Sequence, residues 1–346
     1  MAECLLQKKV ALFENFWESR RMASAIVVRD LTKHYGRKVA IQTLNFEVQP
    51  GHIVGFLGPN GAGKSTTLRI LCGLIPASSG CVYIHGLPVT TQIKQIKQSM
   101  GYMPENNPLP EDMRVEEYLK FRARIKQVPH RLLKTCVWDA LERCDLHRMA
   151  AKKMIGALSK GFKQRVGIAE ALLGQPKVII LDEPTIGLDP HQILGIRDLL
   201  KKLRGDATVV FSSHILPEVE AACTHLIILN QGQIVANDTS ENLRRRYFRT
   251  TRYEVTLVDK NNHFPEHLSY APVKLCLKKS VVHGDQRTTY AVETESTEAW
   301  VESQLTRWIF ENNWPLIQFV KKEPDLESLF LKLTSVAWKK MDNERP

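Results

Sequence analysis

The stretch "HIVGFLGPNGAGKSTTLRIL", starting at His52, constrains the fold of this chain more than any other. "HIVGFLG" reads as a short buried strand and "KSTTLRILCGL" as a helix, with a glycine-rich loop between them. That order is the context a phosphate loop needs. Glycines let the backbone curl so that several N–H groups face one phosphate chain, and the helix adds its positive N-terminal end. Gly58, Pro59, Asn60, Gly61, Ala62, Gly63, Lys64 and Ser65 match the spacing G-x-x-x-x-G-K-[ST], and Thr66 follows. Lys64 can reach the β- and γ-phosphates of a nucleoside triphosphate, and Ser65 can hold Mg2+.

A second apolar run, "VIILDEP", ends in Asp182 and Glu183. Ligands collect at the carboxyl ends of parallel strands. Asp182 can hold the metal through water, and Glu183 can orient or deprotonate an attacking water. Two carboxylates can also be a plain solvated strand end, but the apolar strand before them and Pro184 after them argue otherwise. His214, just after "TVVFSS", offers a polar contact for a γ-phosphate; taken alone, a histidine there is a local hydrogen-bonding group.

Around these motifs the pattern alternates. "AIVVRDLTKHYG" and "VAIQTLNFEVQPG" predict two strands joined by a turn. Between about residues 106 and 157 the pattern is helical. "MRVEEYLKFRARI" puts Val115, Leu119, Arg122 and Ile125 near one stripe, and "RLLKTCVWDALERC" puts Leu133, Val137, Ala140 and Leu141 near another. "KVIILDEP", "TVVFSSH" and "HLIILNQGQIVAND" are nearly unbroken apolar runs, as expected of strands in a mainly parallel sheet. After Thr239 a basic segment, "RRRYFRTTR", leads to strands near "YEVTLV", "VKLCLKK" and "TTYAVETE". A helix "TEAWVESQLTRWIFENNW", a strand "LIQFVKK" and a helix "DLESLFLKLTS" follow, with Leu326, Leu329, Phe330 and Leu333 facing the core. The phosphate loop is not repeated.

Bulk properties narrow the class without choosing a partner. An apolar content of 43% is ordinary for a globular chain, so disorder is not the default. The net charge of +11 suits nucleotides, nucleic acid or an anionic membrane surface alike. The seven cysteines are scattered without a CxxC pair, which supports neither a zinc site nor a disulfide framework and fits a reducing cytosol. No apolar run is long enough to span a bilayer. Residues 1–22 read as a leader, either one face of a short helix or disordered, and absent if translation starts at Met22.

"ALSKGFKQRVGIAEALL" at Ala157 begins another helix, with Ser159 able to cap it and small, basic and amide residues at its tip. The order phosphate loop, "LSKGF", "ILDEP", "GLDP" and a histidine after a strand resembles the ATP-binding subunit of an ABC transporter, over roughly Ala25–Thr239. The resemblance implies an α/β fold: a P-loop ABC-type nucleotide-binding domain at 24–240 with a helical subdomain at about 106–165. The strand and helix pattern beyond it reads as a separate small C-terminal α+β domain at 250–336, followed by a tail at 337–346. The resemblance also implies ATP and Mg2+ as ligands, with Ser65, Asp182 and Glu105 at the metal. It implies that Tyr35 stacks on adenine; packing on the domain is the alternative. It implies two nucleotide domains facing head to tail, so that Ser159 and the N–H groups near Gly161 approach the γ-phosphate held by the other chain's loop.

Three positions in two motifs depart from the family. Glu105 stands where glutamine is usual, and Lys160 and Phe162 stand where glycine and glutamine are commonest in the signature. The ending "EPDLESLFLKLT" is similar to those of exporter ATPases of the multidrug and gliding-motility types. The expected function is ATP hydrolysis coupled to a separate transmembrane permease, for export. The paired nucleotide domain is expected to be a second copy, and the location the cytoplasmic face of the membrane. The alternative is a soluble ABC-type ATPase acting on nucleic acid or ribosomes. The chain has neither the second nucleotide domain nor the coiled-coil insertion usual in those classes, so nucleic acid is not the expected partner.

Overall fold

The structure, a computed structural model, describes residues 24–247, 251–259, 263–273, 275–283, 287–294, 300–322 and 326–334. The leader at 1–22 and the tail at 337–346 lie outside them. The chain divides into two compact units, one running through Ser240 and including Leu333 and Thr334, the other spanning Glu241–Lys332.

The first unit contains β1 (Ile26–Tyr35), β2 (Lys38–Val48), β3 (Ile53–Leu57), β4 (Ser79–Ile84), β5 (Leu87–Pro88), β6 (Met100–Met103), β7 (Val178–Leu181), β8 (Thr208–Ser213), β9 (His225–Asn230) and β10 (Gln233–Asp238). An antiparallel sheet has the order β2-β1-β4-β5. A larger sheet has the order β10-β9-β3-β8-β7-β6 and is parallel except for the β9–β10 hairpin. β3, β7 and β8 are buried along their whole length, which is why they read as continuous apolar runs rather than alternating ones. Their register aligns the carboxyl ends: Leu57 pairs with Ser213, and Leu181 with Phe211. The loops that follow these three strands therefore meet at one edge.

The helices of this unit are α1 (Lys64–Leu71), α2 (Val89–Gln98), α3 (Val115–Ile125), α4 (Leu133–Arg143), α5 (Lys160–Leu172), α6 (Pro190–Lys202) and α7 (Leu216–Ala222). In α4 the expected stripe of Leu133, Val137, Ala140 and Leu141 is buried. In α3 the buried stripe is Val115, Tyr118, Leu119 and Ala123 instead. Ile125, in the last turn, is 54% exposed. Arg122 is half-buried through its charge: its Nε donates to Glu170 Oε1 at 2.6 Å, and Tyr118 Oη donates to the other oxygen of the same carboxylate. Lys126, just past α3, donates to the carbonyls of Glu170, Ala171 and Leu173 at 3.1–3.2 Å, satisfying the open end of α5. Burial pushes this ammonium down to about 8.

α8 (Ser240–Tyr247) leads into the second unit. That unit contains β11 (Thr251–Val258), α9 (Phe264–His267), β12 (Cys276–Val282), β13 (Arg287–Thr294), α10 (Trp300–Glu311), β14 (Leu316–Lys322) and all but the last two residues of α11 (Leu326–Thr334). Its sheet has the order β12-β13-β11-β14, antiparallel throughout. A β-α-β-β-α-β succession in that order is a split βαβ arrangement. β11 alternates, with Tyr253, Val255 and Leu257 buried and Arg252, Glu254 and Thr256 partly open, so one face of the sheet carries the core. Phe264, Tyr290, Trp308 and Ile309 complete that core. β12 begins three residues later than "VKLCLKK" suggests, and α9 carries no signal strong enough to read. Leu329 and Leu333 of α11 are buried, whereas Phe330 is only partly so; the side chain of Leu326 is outside the described set.

Candidate functional site

The edge where β3, β7 and β8 end forms a cleft of about 610 Å³. Pro59, Asn60, Gly61, Ala62, Gly63, Lys64, Ser65 and Thr66 line it, together with Tyr35, Glu105, Glu183 and His214. The sequence reading thus converges on one place for the phosphate loop, the aromatic residue, the carboxylates and the histidine. The strand-to-helix turn depends on glycine at Gly63, whose φ is +104° and where a Cβ would lie 2.6 Å from Ile41 Cγ2. No side chain caps α1, so its first-turn N–H groups are left for an anionic ligand. Gly58 lies at the base of the loop, where its carbonyl accepts from Lys64 Nζ at 2.7 Å.

The charged groups form a connected set. Lys64 Nζ is 3.3 Å from Glu183 Oε1, with both side chains more than nine-tenths buried. His214 Nδ1 is 2.9 Å from Glu183 Oε2. Both oxygens of Glu183 are thus engaged by groups that can carry positive charge. Glu183 itself adopts φ +48°, a left-handed conformation that costs a non-glycine residue about 1–3 kcal/mol and persists only where the surroundings enforce it. One constraint is the hydrogen bond from its N–H to Ser212 Oγ at 2.8 Å.

Asp182 lies beneath the cleft rather than on its wall. It is fully buried, and its Oδ1 accepts from Ser65 Oγ at 2.9 Å and from Ser212 Oγ at 2.7 Å. Its Oδ2 is buried with no hydrogen-bond partner among the described residues. An orphaned carboxylate oxygen beside the Ser65 hydroxyl is what a divalent cation would satisfy, so the residues fit Mg2+. The described residues hold no cluster of three or more His, Cys, Asp or Glu able to bind a metal by themselves. A cation here would need phosphate oxygens as further ligands. Burial first, and the negative charge of Asp182 in addition, push the nearby Tyr102 hydroxyl up to about 12, so it stays protonated beside the site.

Ser159 and Gly161 do not join this cleft. Ser159 caps α5, its Oγ accepting from Phe162 N–H at 3.5 Å. Gly161 is buried, and a Cβ there would lie 2.4 Å from Gln192 Oε1, so glycine allows the residues after "GLDP" to pack onto the start of α5. Three cleft residues escaped the sequence reading: Lys38, Ala40 and Ile186. Lys38 could have been found from the hairpin, because it pairs with Tyr35 across the turn. Ser212 was also missed, although paired serines at the end of an otherwise apolar strand are a visible anomaly.

A glycine-rich loop between a central parallel strand and a helix, with a buried Asp–Glu pair at the next-but-one strand end, defines a P-loop nucleotide hydrolase. The family model described as ABC transporter matches residues 41–186. The linearmycin resistance ATP-binding protein LnrL of Bacillus subtilis (strain 168) is 31% identical over 311 residues, covering 88% of this chain and 96% of that protein. The Nod factor export ATP-binding protein I of Burkholderia orbicola (strain AU 1054) is 30% identical over 308 residues, covering 88% and 95%. Among solved structures, a dimeric post-hydrolysis state of the ATP-binding cassette MJ0796 bound to ADP and Pi superposes with a TM-score of 0.57 at 26% identity, covering 62% of this chain and 98% of that one. The chain belongs to the ABC transporter family, as one of its ATP-binding, ATP-hydrolysing subunits. No helix among the described residues is long and apolar enough to cross a membrane.

Proposed function

We propose that MgATP binds in the Gly58–Thr66 cleft of one chain and is enclosed by Ser159 and Gly161 of a second copy. Hydrolysis of that ATP drives a separate membrane permease that exports its cargo. The observation that carries this reading is the contact chain Lys64–Glu183–His214 along the wall of the phosphate-loop cleft. Lys64, within 3.3 Å of Glu183, exchanges that carboxylate for β- and γ-phosphate oxygens. Glu183, released from the ion pair, accepts the proton of the attacking water. His214 holds Glu183 Oε2 and reaches the γ-phosphate from the end of β8. Tyr35, 47% exposed at the cleft's rim, takes the adenine.

Ser65, Asp182 and Glu105 would hold Mg2+, which supplies neutralisation of the charge on the β- and γ-phosphates. Chelating the metal is expected to abolish hydrolysis, with activity restored by added Mg2+; undiminished turnover in excess chelator would remove these three residues from metal binding. The helix start at Ser159, carrying roughly half a positive charge and free N–H donors, is suited to the γ-phosphate of the facing chain. Residues 24–240 make the ATPase domain, and 250–336 an accessory domain.

Relatives named for linearmycin resistance and Nod factor export support export as the direction. The pairing with a permease places the chain at the cytoplasmic face of the membrane. Affinity purification from detergent-solubilised membranes tests the assignment. The expected result is copurification of a multi-span membrane protein. A chain found wholly in the soluble fraction, bound in a salt-sensitive way to RNA, would contradict it.

A further inference from the structure

Glu218 is a buried carboxylate that this account of hydrolysis leaves unused. It stands in the first turn of α7 and is 9% exposed. Its Oε2 accepts from two hydroxyls, Thr185 Oγ1 at 2.5 Å and Ser213 Oγ at 3.1 Å. Its Oε1 is buried without a hydrogen-bond partner among the described residues. Withdrawing a carboxylate from water with half of its acceptor capacity idle is unfavourable, so packing alone does not account for a glutamate here.

The two hydroxyls belong to different loops. Thr185 lies two residues beyond Glu183, on the turn that follows β7; Ser213 is the residue before His214, at the end of β8. Glu183 is held in its left-handed conformation from the upstream side by Ser212. On the downstream side the side-chain restraint on that turn is Thr185 on Glu218. Ser213 Oγ also accepts from Ile215 N–H at 3.0 Å, so the hydroxyl bound by Glu218 closes the turn that carries His214.

We propose that Glu218 is a positioning residue for ATP hydrolysis. Through Thr185 and Ser213, one carboxylate sets the relative placement of Glu183 and His214, whose side chains meet 2.9 Å apart in the cleft wall. The proposal rests on the reading that Glu183 and His214 act at the γ-phosphate. It assigns Glu218 no contact with nucleotide.

The test compares Glu218→Ala, Glu218→Gln and Thr185→Val in the full chain assembled with its membrane partner. The readouts are kcat and KM for MgATP, the Kd of a non-hydrolysable ATP analogue, and Tm. A displacement of about 1 Å in a reacting group can cost on the order of a hundredfold, so Glu218→Ala is expected to lower kcat by roughly tenfold to a hundredfold with analogue affinity unchanged. Glu218→Gln keeps an acceptor oxygen and is expected to recover most of that loss. A merely structural role would lower Tm and leave kcat per folded molecule intact, and that result overturns the proposal. So does a Gln variant no better than Ala. Should Glu218→Ala not fold, Thr185→Val decides by the same criteria: a kcat loss at constant affinity sustains the proposal, and a wild-type kcat ends it. Glu183→Gln serves as control. If it hydrolyses ATP normally, the reading of the site has failed; if it is inactive while Glu218→Ala is fully active, only the role of Glu218 has.

Discussion

Replacing Lys64 by alanine is expected to reduce ATP turnover by at least about a hundredfold, because removing one positioned group that stabilises developing charge typically costs about 3 kcal/mol. The expected loss is larger here than at an exposed lysine for a structural reason. Lys64 is 6% exposed and paired with a Glu183 that is equally buried. Deleting the cation leaves that carboxylate inside with only His214 of its two side-chain contacts, and breaking a buried pair from one side is strongly unfavourable. Nucleotide affinity should fall together with turnover, since the same ammonium meets the phosphates in the ground state. Isothermal titration with ATP and a phosphate-release assay measure the two effects. Wild-type affinity and rate in Lys64→Ala would refute the phosphate-loop assignment.

Glu183→Gln is expected to separate those two effects. Glutamine keeps the shape and one acceptor oxygen, so the contacts with Lys64 and His214 have a geometric substitute, but it cannot take a proton from water. Hydrolysis should fall by about a hundredfold or more, while ATP binding is preserved or tightened. The carboxylate is not freely replaceable even structurally. Its backbone holds a left-handed φ of +48°, its N–H is bound by Ser212 Oγ, and Thr185 two residues on is bound by Glu218. Single-turnover measurements would distinguish a lost chemical step from slowed product release.

Much of this site is legible in sequence because its largest pieces are local. The phosphate loop is nine consecutive residues, and the strand before it and the helix after it are adjacent in the chain. "VIILDEP" likewise carries its own evidence: an apolar run cannot end in two carboxylates at a sheet's carboxyl edge without bringing charge to that edge. What could not be read is what joins these pieces. Ser65 and Asp182 are separated by 117 residues, and Glu183 and Ser212 by 29. The paired serines that end β8 stand out in an apolar run, but their meaning appears only when β7 and β8 are side by side. Glu218 escaped for the same reason, since a glutamate near the start of a short helix reads as an ordinary first-turn acid. In α3 the 3.6-residue period was right but its phase was not: a charged stripe residue, Arg122, is held by Glu170 of another helix, and the apolar Ile125 falls at an exposed helix end. In the second unit the strands were recognisable from β-branched and aromatic runs, while the order β12-β13-β11-β14 depends on pairings that no single segment encodes.

The central claim is that ATP joins two copies of this chain, with Ser159 and Gly161 of one completing the cleft of the other. Their absence from the cleft of their own chain is what this arrangement requires. The most direct measurement is the mass of the full-length Glu183→Gln variant, with and without its membrane partner, by light scattering in saturating MgATP and again in ADP. The account predicts a nucleotide-domain dimer in ATP that dissociates in ADP and fails to form when Ser159 is replaced by a bulky residue. Nucleotide domains that remain unpaired at saturating MgATP, in both settings, would contradict it.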